Sequence, residues 1–452
     1  FTEQTAAIKH VVDIPVVASN RINMPAQAEA MLAAGKADLI QMARPFLADP
    51  DWVNKAMTGD ENLINTCIAC NQACLDHTFK NKRASCLVNP RAAYETELLV
   101  ERAQTPRFVA VVGAGPAGLA CATTLAERGH EVVLFEAAAA IGGQFNLARR
   151  IPGKEEFNET IRYYGALLKQ HGVECRFNVR VTAAQLKSEA FDAVVVATGV
   201  EARTPGIPGV DHEKVRSYRQ AIEDPEGNGR SVAVIGAGGI GFDVAELLVT
   251  EDSPTLDLPA WQAEWGVGPE HGTRGGIVAP EMPSADRQVV LIQRKDESLG
   301  RSLGKTSGWV HRAVLKKKQV EMVQGARYDK IDDDGLHISF GKDFGESRTV
   351  PADTIVLCAG QESVRGLYDE LVAAGVEEIR EEHDHAAAKE LGRESVEAAA
   401  RFEQVGLGLA HEARTGGRLD IEVICPVLGV AETDALFHVV TPFSSVKSLA
   451  AV

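Results

Sequence analysis

The segment RFVAVVGAGPAGLACATTLAERGHEVVLFE, residues 107–136, reads as strand, glycine turn, helix and second strand. Phe108–Val112 is a short apolar, β-branched run of the kind a buried strand needs. Gly113-x-Gly115-x-x-Gly118 follows at once, and an apolar helix then runs to Arg128. In such a turn the first glycine permits the bend, the second lets the backbone approach a phosphate, and the third allows close helix–strand packing. The helix N-terminus offers free N–H groups and the positive end of its dipole to a pyrophosphate. The next strand, Glu131–Phe135, ends in Glu136, an acid placed to bond ribose hydroxyls. The expected fold class is α/β, with a Rossmann-like dinucleotide-binding domain at its centre.

The same device recurs downstream. Ser231–Ile235 is a strand, Gly236-x-Gly238-x-x-Gly241 the turn, and a helix continues to about Leu248. Here the following strand, Gln288–Gln293, leads into Arg294 and Lys295 instead of an acid. A basic residue at that point suits a 2′-phosphate, so NADPH is expected over NADH. Residues 251–287 are rich in Pro, Gly and Asp and read as a long loop insertion. Two further apolar strands, Val194–Gly199 and Ile355–Gly360, also end in glycine.

Upstream, Cys67-x2-Cys70-x3-Cys74-x11-Cys86 gathers four of the eight cysteines into one window. Four thiolates can ligate a tetrahedral zinc ion or a [4Fe–4S] cube, and spacing alone leaves both open. Three ligands in one short loop with a distant fourth is a common iron–sulfur arrangement. Zinc, having no redox chemistry, would take no part in electron flow beside two dinucleotide modules. The cysteine pattern fits reduced thiols and one metal cluster better than a secreted disulfide scaffold, so a cytoplasmic location is expected. A chain of 452 residues with net charge −16 offers no basic surface for nucleic acid or an anionic membrane. No apolar run is long enough for a spanning helix. Before the cysteines, Ile14–Ala18 and Ala37–Met42 are apolar strands, followed by helices starting at Pro25 and near Asp51.

These motifs together carry a resemblance. The doubled glycine fingerprint is similar to the two-dinucleotide-domain flavoproteins, in which the first module holds FAD and the inserted second holds NAD(P)H. Cys67-Ile-Ala-Cys70-Asn-Gln-Ala-Cys74-Leu-Asp76 resembles the cluster loop of the iron–sulfur, Old-yellow-enzyme-type NADH:flavin oxidoreductases, in particular the bacterial 2,4-dienoyl-CoA reductase group. Trimethylamine dehydrogenase shares that architecture but typically has two residues in its second gap, where this chain has three. Ala18-Ser-Asn-Arg21-Ile-Asn23 and Met42-Ala-Arg44-Pro-Phe-Leu-Ala-Asp-Pro50 resemble the ends of the last two barrel strands of the same family, where a phosphate site forms.

The resemblance implies the following site. Arg21, Ala43 and Arg44 hold the FMN phosphate. Gly113, Gly115, Gly118, Glu136, Gln144, Lys154 and Val181 hold FAD. Gly236, Gly238, Gly241, Arg294 and Lys295 hold NADPH, and Cys67, Cys70, Cys74 and Cys86 hold the [4Fe–4S] cluster. Electrons pass from NADPH to FAD, cluster and FMN to reduce an enoyl-CoA-type substrate, 2,4-dienoyl-CoA, in unsaturated fatty acid β-oxidation, in an enzyme that is a monomer at full length. The proton donors are expected upstream of Phe1, so no catalytic residue is assigned within the chain, and His311 reads as structural. Related enoate reduction, amine oxidation or a simple NADPH diaphorase activity are the alternatives, with a redox-inert zinc protein the most remote. The expected organisation is 1–58, the last two β/α units of a barrel; 59–105, the cluster segment; 106–228 and 354–376, the FAD domain; 229–353, the NAD(P) domain; and 377–452, a divergent tail without an assigned role.

Overall fold

The computed structural model describes residues 1–268, 272–281, 283, 285–375, 377–378 and 438–441. The chain opens with α1 (Thr2–Lys9), β1 (Val17–Ala18), α2 (Pro25–Ala33), β2 (Leu39–Ile40), α3 (Arg44–Ala48) and α4 (Trp52–Thr58). Pro25 starts α2 because its missing N–H would have no partner in the first turn anyway. β1 and β2 pair in parallel, Val17 opposite Leu39 and Ala18 opposite Ile40, as successive β/α units do. Ala18, Ile22, Ala28, Met31 and Trp52 make a small core. Val11, Ile14, Val17 and Leu39 stay exposed, because two units cannot close a barrel around them. Between residues 59 and 105 the one α-helix is α5 (Leu75–Phe79), directly after Cys74.

The first module then follows: β3 (Phe108–Val112), α6 (Pro116–Glu127), β4 (Glu131–Phe135), α7 (Phe145–Ala148), α8 (Phe157–Gln170), β5 (Glu174–Arg176), α9 (Ala183–Ser188) and β6 (Ala193–Val196). Its strands run parallel in the order β6-β3-β4-β5. Both faces are covered, so the strands read as unbroken apolar runs without alternation; Val109, Ala110, Val111, Val133 and Leu134 are all buried. α6 is lined with small residues, Ala117, Gly118, Ala120 and Ala122, which let it lie close on the sheet.

β7 (Val200–Ala202) leads out of this module into β8 (Val215–Ser217), α10 (Tyr218–Glu223), β9 (Ser231–Ile235), α11 (Gly239–Leu248), α12 (Leu258–Trp265), β10 (Gln288–Ile292), α13 (Gly308–Lys317) and β11 (Glu321–Val323). The antiparallel strands β12 (Arg327–Asp332), β13 (Gly335–Phe340) and β14 (Glu346–Val350) precede β15 (Thr354–Leu357). The second sheet has the order β11-β10-β9-β15-β8, all parallel. β16 (Gln361–Ser363) then pairs antiparallel with β7, so the two crossings form one two-stranded ribbon. After α14 (Gly366–Ala373), the backbones of β17 (Glu377–Glu378) and β18 (His438–Thr441) extend the first sheet beyond β6.

Two expectations need correction. The second module does not begin at 229 and end at 353: β8 and β15 belong to its sheet, Val215 lying opposite Ile355. β8 has only three residues and no apolar run, so its place is fixed by pairing with a strand far away in sequence. The insertion 251–287 is not all loop, since it contains α12. Asp257 caps that helix by accepting from the Ala260 amide, and Gly266 ends it with a left-handed φ of 68°. Within the tail 377–452, the sequence has an Ala/Glu-rich stretch from about Glu377 and an apolar run at Ile421–Val430, and all but 377–378 and 438–441 lies outside the described residues. Among the described residues no helix is long and apolar enough to cross a membrane.

Candidate cofactor-binding sites

The two glycine turns are built alike. The Gly113 amide donates to the Phe135 carbonyl at 2.8 Å, and the Gly236 amide to that of Ile292 at 2.8 Å. Gly113 and Gly236 take φ of 109° and 106°, and a Cβ on either would overlap a carbonyl, of Ala197 or Cys358 respectively. A Cβ on Gly118 or Gly241 would overlap the carbonyl of the first glycine of its own turn. The middle glycines differ. A Cβ on Gly115 or Gly238 would meet nothing within 4 Å. The protein's own packing requires the outer glycines, whereas the middle one borders open space at a helix N-terminus, which is where a pyrophosphate fits.

The residue after the second strand differs between the modules. Glu136 braces its own turn: Oε2 accepts from the Ala114 amide and Oε1 from the Ala138 amide, both at 2.7 Å. By register, Gln293 stands where Glu136 does, one residue beyond the strand that pairs with the glycine strand. Its side-chain Nε2 donates to the carbonyls of Lys295, at 3.0 Å, and Glu297. The second module therefore offers no carboxylate at this point, and Arg294 and Lys295 are exposed just beyond it.

Gln144, Lys154 and Val181, which the resemblance puts at FAD, also make contacts within the protein. Gln144 donates to the Val200 carbonyl at 2.6 Å and accepts from the Tyr218 hydroxyl at 2.8 Å, and Gln361 donates to that same hydroxyl at 2.8 Å. This network spans the crossing ribbon. Lys154 Nζ lies 2.5 Å from Asp243 Oδ2 on α11, joining the first module to the second. Val181 packs its side chain in a core with Val112, Phe135 and Phe191. His311, on α13, has Nδ1 3.1 Å from Glu246 Oε2 on α11. The sequence carries no local signal for Tyr218, Gln361 and Asp243, because their partners lie in distant segments.

The thiol loop winds tightly, with Ala69 and Asn71 at left-handed φ of 55° and 61°. Backbone amides point at the sulfurs: Ala69 at Cys67, Gln72 at Cys70, Val88 and Asn89 at Cys86. Such converging N–H groups make an anion-binding concavity of the kind found at iron–sulfur sites. Burial raises the thiols of Cys67 and Cys70 and pushes Cys86 up to about 12, while those amides oppose the shift. Repulsion from the neighbouring sulfurs adds to it at these three. A cationic centre would remove that repulsion, so the donor set fits a thiolate-bound metal group.

Among the described residues, the set of three potential ligands with all donor atoms within 4.8 Å is Asp332, Asp334 and His337. It occupies the turn between β12 and β13, and its groups bond one another and Lys330. No three of the four sulfurs are drawn that close. A single zinc ion with bonds of about 2.3 Å would need its sulfurs about 3.8 Å apart.

The barrel strands meet the thiol loop at a cavity of about 320 Å³ lined by Ser19, Arg21, Asn23, Ala43, Arg44 and Cys67, among others. Arg21 pairs with Glu156 at 2.7 Å. The Asn23 side-chain Nδ2 donates both to Glu156 Oε1, at 3.0 Å, and to the Cys67 carbonyl, at 3.2 Å. Arg44 donates to Asn71 Oδ1 at 2.8 Å. Arg162 of α8 donates to the carbonyls of Asn62 and Ile64 and to the Thr66 hydroxyl, which fixes the approach to Cys67. The structure thus brings Arg21, Ala43 and Arg44 together with Cys67 around one cavity.

A pair of glycine cradles in linked parallel sheets, preceded by a piece of β/α barrel, defines a protein with two dinucleotide-type binding modules. The chain belongs to the pyridine nucleotide-disulphide oxidoreductase family, whose pattern it matches over residues 107–396. Residues 1–62 match the NADH:flavin oxidoreductase / NADH oxidase family. The chain is 36% identical over 372 residues to a metal reductase of Desulforamulus reducens, a match covering 80% of this chain and 54% of that one. It is 26% identical over 371 residues to a cinnamate reductase of Clostridium sporogenes, covering 80% and 49%. A structure of 2-naphthoyl-CoA reductase with 2-naphthoyl-CoA superposes with a TM-score of 0.72 at 26% identity, covering 91% of this chain and 56% of that one. The chain spans about half the length of these relatives.

Proposed function

We propose that this chain is the electron-supplying part of an NADPH-dependent enoyl-CoA-type reductase, with 2,4-dienoyl-CoA of unsaturated fatty acid β-oxidation the substrate its motifs favour. In this reading the turn Gly113–Gly118 with Glu136 holds FAD, and the turn Gly236–Gly241 with Arg294 and Lys295 holds NADPH. Cys67, Cys70, Cys74 and Cys86 hold a [4Fe–4S] group, and Arg21, Ala43 and Arg44 hold the FMN phosphate. When bound, these groups supply hydride exchange at the flavins and single-electron relay at the iron–sulfur centre.

The chain's own residues bind and orient. The turn amides at α6 and α11 grip pyrophosphates, and Arg294 reads the 2′-phosphate. The four thiols give up their protons on binding metal, and the amides aimed at Cys67, Cys70 and Cys86 stabilise the charge. The observation that carries the reading is the shared wall: Cys67 lines the same cavity as Arg21 and Arg44, while Glu156 and Arg162 tie that wall to the first module. Three cysteines in one short loop with a distant fourth, beside two dinucleotide modules, support a redox-active cube over a single zinc ion. The likeness to 2-naphthoyl-CoA reductase supports a CoA thioester substrate.

A second reading keeps the same chain but a different final acceptor, and the cinnamate and metal reductase relatives favour it. Anaerobically purified protein should carry about four irons per chain and reduce ferricyanide with NADPH faster than with NADH. Cys74→Ser should lose the reductant-bleachable iron–sulfur absorbance. Stoichiometric zinc without iron would sink the cluster assignment. Turnover of cinnamate but not dienoyl-CoA by the complete enzyme would select the second reading.

A further inference from the structure

A buried carboxylate fastens the thiol loop to the second module. Asp76 lies two residues after Cys74, in α5, and is only 4% exposed. Its Oδ1 accepts from the Thr306 amide at 3.0 Å and from the Thr306 hydroxyl at 2.9 Å. A Cβ on Gly304 would overlap Asp76 Oδ2, so the absent side chain makes room for the carboxylate. The Asp76 amide donates to the Asn71 carbonyl at 2.9 Å, holding the same residue to the turn between Cys70 and Cys74. Beside it, Lys305 Nζ stands 5.3 Å from the centre of the Phe79 ring.

From Thr306 the connection continues inward. The Gly308 amide donates to the Gly304 carbonyl at 2.8 Å, so this short loop is the start of α13. One turn along, His311 pairs with Glu246 of α11. α11 begins at Gly239, immediately after the open space beside Gly238. A pyrophosphate at that space bears on the N-terminus of α11. The His311–Glu246 pair joins α11 to α13, and Thr306 joins α13 to Asp76. Each link is a hydrogen bond or continuous helix, so the nucleotide turn and Cys74 are mechanically joined.

We infer that Asp76 is a positioning residue through which nucleotide occupancy of the second module changes the surroundings of the thiol loop. The inference rests on the cofactor assignment above. It adds that the nucleotide module acts on the iron–sulfur site directly through the clamp, separately from any electrons it delivers. Coupling of this kind requires two sites and an element that both bias, and the loop 304–308 is that element.

The test uses the iron-loaded protein, reduced with dithionite, and follows its electron paramagnetic resonance spectrum with and without NADP⁺. In the unsubstituted protein NADP⁺ should shift or sharpen the signal. Thr306→Val keeps the shape of the side chain and removes its hydroxyl, so it should retain iron and flavin but lose the response. Thr306→Ser restores the hydroxyl and should restore the response, and Asp76→Asn, which keeps an acceptor oxygen, should retain part of it. A Thr306→Val protein that responds like the parent would overturn the inference, as would a parent protein with iron and no response. Should the parent hold no iron, the cofactor assignment fails. The clamp is then judged by amide exchange: NADP⁺ should slow exchange across residues 71–78 in the parent and not in Thr306→Val. Equal protection in both, or none in the parent, would also overturn it.

Discussion

Gly115 and Gly118 stand one helical turn apart and carry opposite predictions. At Gly118 a methyl group would meet the carbonyl of Gly113, backbone that cannot move without opening the turn. Gly118→Ala should therefore lower stability by about 1–3 kcal/mol, the range for overpacking. At Gly115 the backbone is extended, with φ −72° and ψ 176°, and a methyl group meets nothing. Gly115→Ala should stay within about 0.5 kcal/mol of the parent in stability yet lose FAD, because the methyl occupies the phosphate's approach. Flavin content of the purified variants and their denaturation midpoints separate the two; Gly115→Ala with full flavin would refute the cradle. Arg294 makes a similar case in the second module. Gln293 leaves no carboxylate to repel a phosphate, so the neighbouring guanidinium is free to define nucleotide choice. Arg294→Ala should weaken NADPH binding by about 1.5–3 kcal/mol, roughly ten- to a hundred-fold, and leave NADH nearly unchanged. Equal losses for both nucleotides would show that Arg294 does not read the 2′-phosphate.

Among elements, those legible in the sequence are those whose signal is local. β3, β4 and β9 are apolar runs ended by a glycine or an acid, and they fall where the runs do. β7, β8 and β16 are three residues each and exist because Val200, Val215 and Gln361 meet partners far along the chain. No periodicity announces them. α12 did carry a start signal, Asp257 before Leu258-Pro259, but a Pro- and Gly-rich setting masked it. Sites divide in the same way: glycine turns and the cysteine window are legible as motifs, whereas Asp76, Arg162, Tyr218 and Asp243 are defined only by what they touch. Helices α11 and α13 supply a pH test of that contact order. Burial disfavours the charged His311 ring, but the hydrogen bond and charge of Glu246, with Asp243 beyond, outweigh it and raise its pKa, Lys154 opposing. A group whose folded pKa is raised contributes stability that is complete below the unfolded value of about 6.5 and is lost as pH rises through the folded value. The parent should therefore lose stability relative to His311→Gln as pH climbs from about 6.5, and denaturant midpoints across that range would show it. Parallel profiles for the two proteins would remove the pair from the account.

At the scale of the whole molecule, the two modules share one apolar core, with Phe145 and Ile151 in the same cluster as Tyr218, Ile222 and Phe242, and polar bonds cross the seam beside it. Gln144, Tyr218 and Gln361 bond across the ribbon, Arg203 donates to the Ala359 carbonyl, and Lys154 reaches Asp243. Polar bonds have fixed directions, so they set an angle between modules that a greasy contact would leave loose. The Lys154–Asp243 pair is the most consequential, since Asp243 is 3% exposed and sits one turn into α11. Removing one partner of a buried ion pair strands the other charge away from water, whereas removing both replaces the pair by ordinary packing. Lys154→Met should thus lower stability by about 3 kcal/mol, and Lys154→Met with Asp243→Leu should recover most of it. Nucleotide affinity should survive in the double variant, because the cradle at Gly238 is untouched. Reduction of bound flavin by NADPH should slow, because the modules have lost the contact that orients one toward the other. Rapid-mixing absorbance of the flavin measures that rate, and nucleotide titration measures the affinity. A double variant that regains stability and reduces its flavin at the parental rate would show that the pair holds the modules together without aligning them.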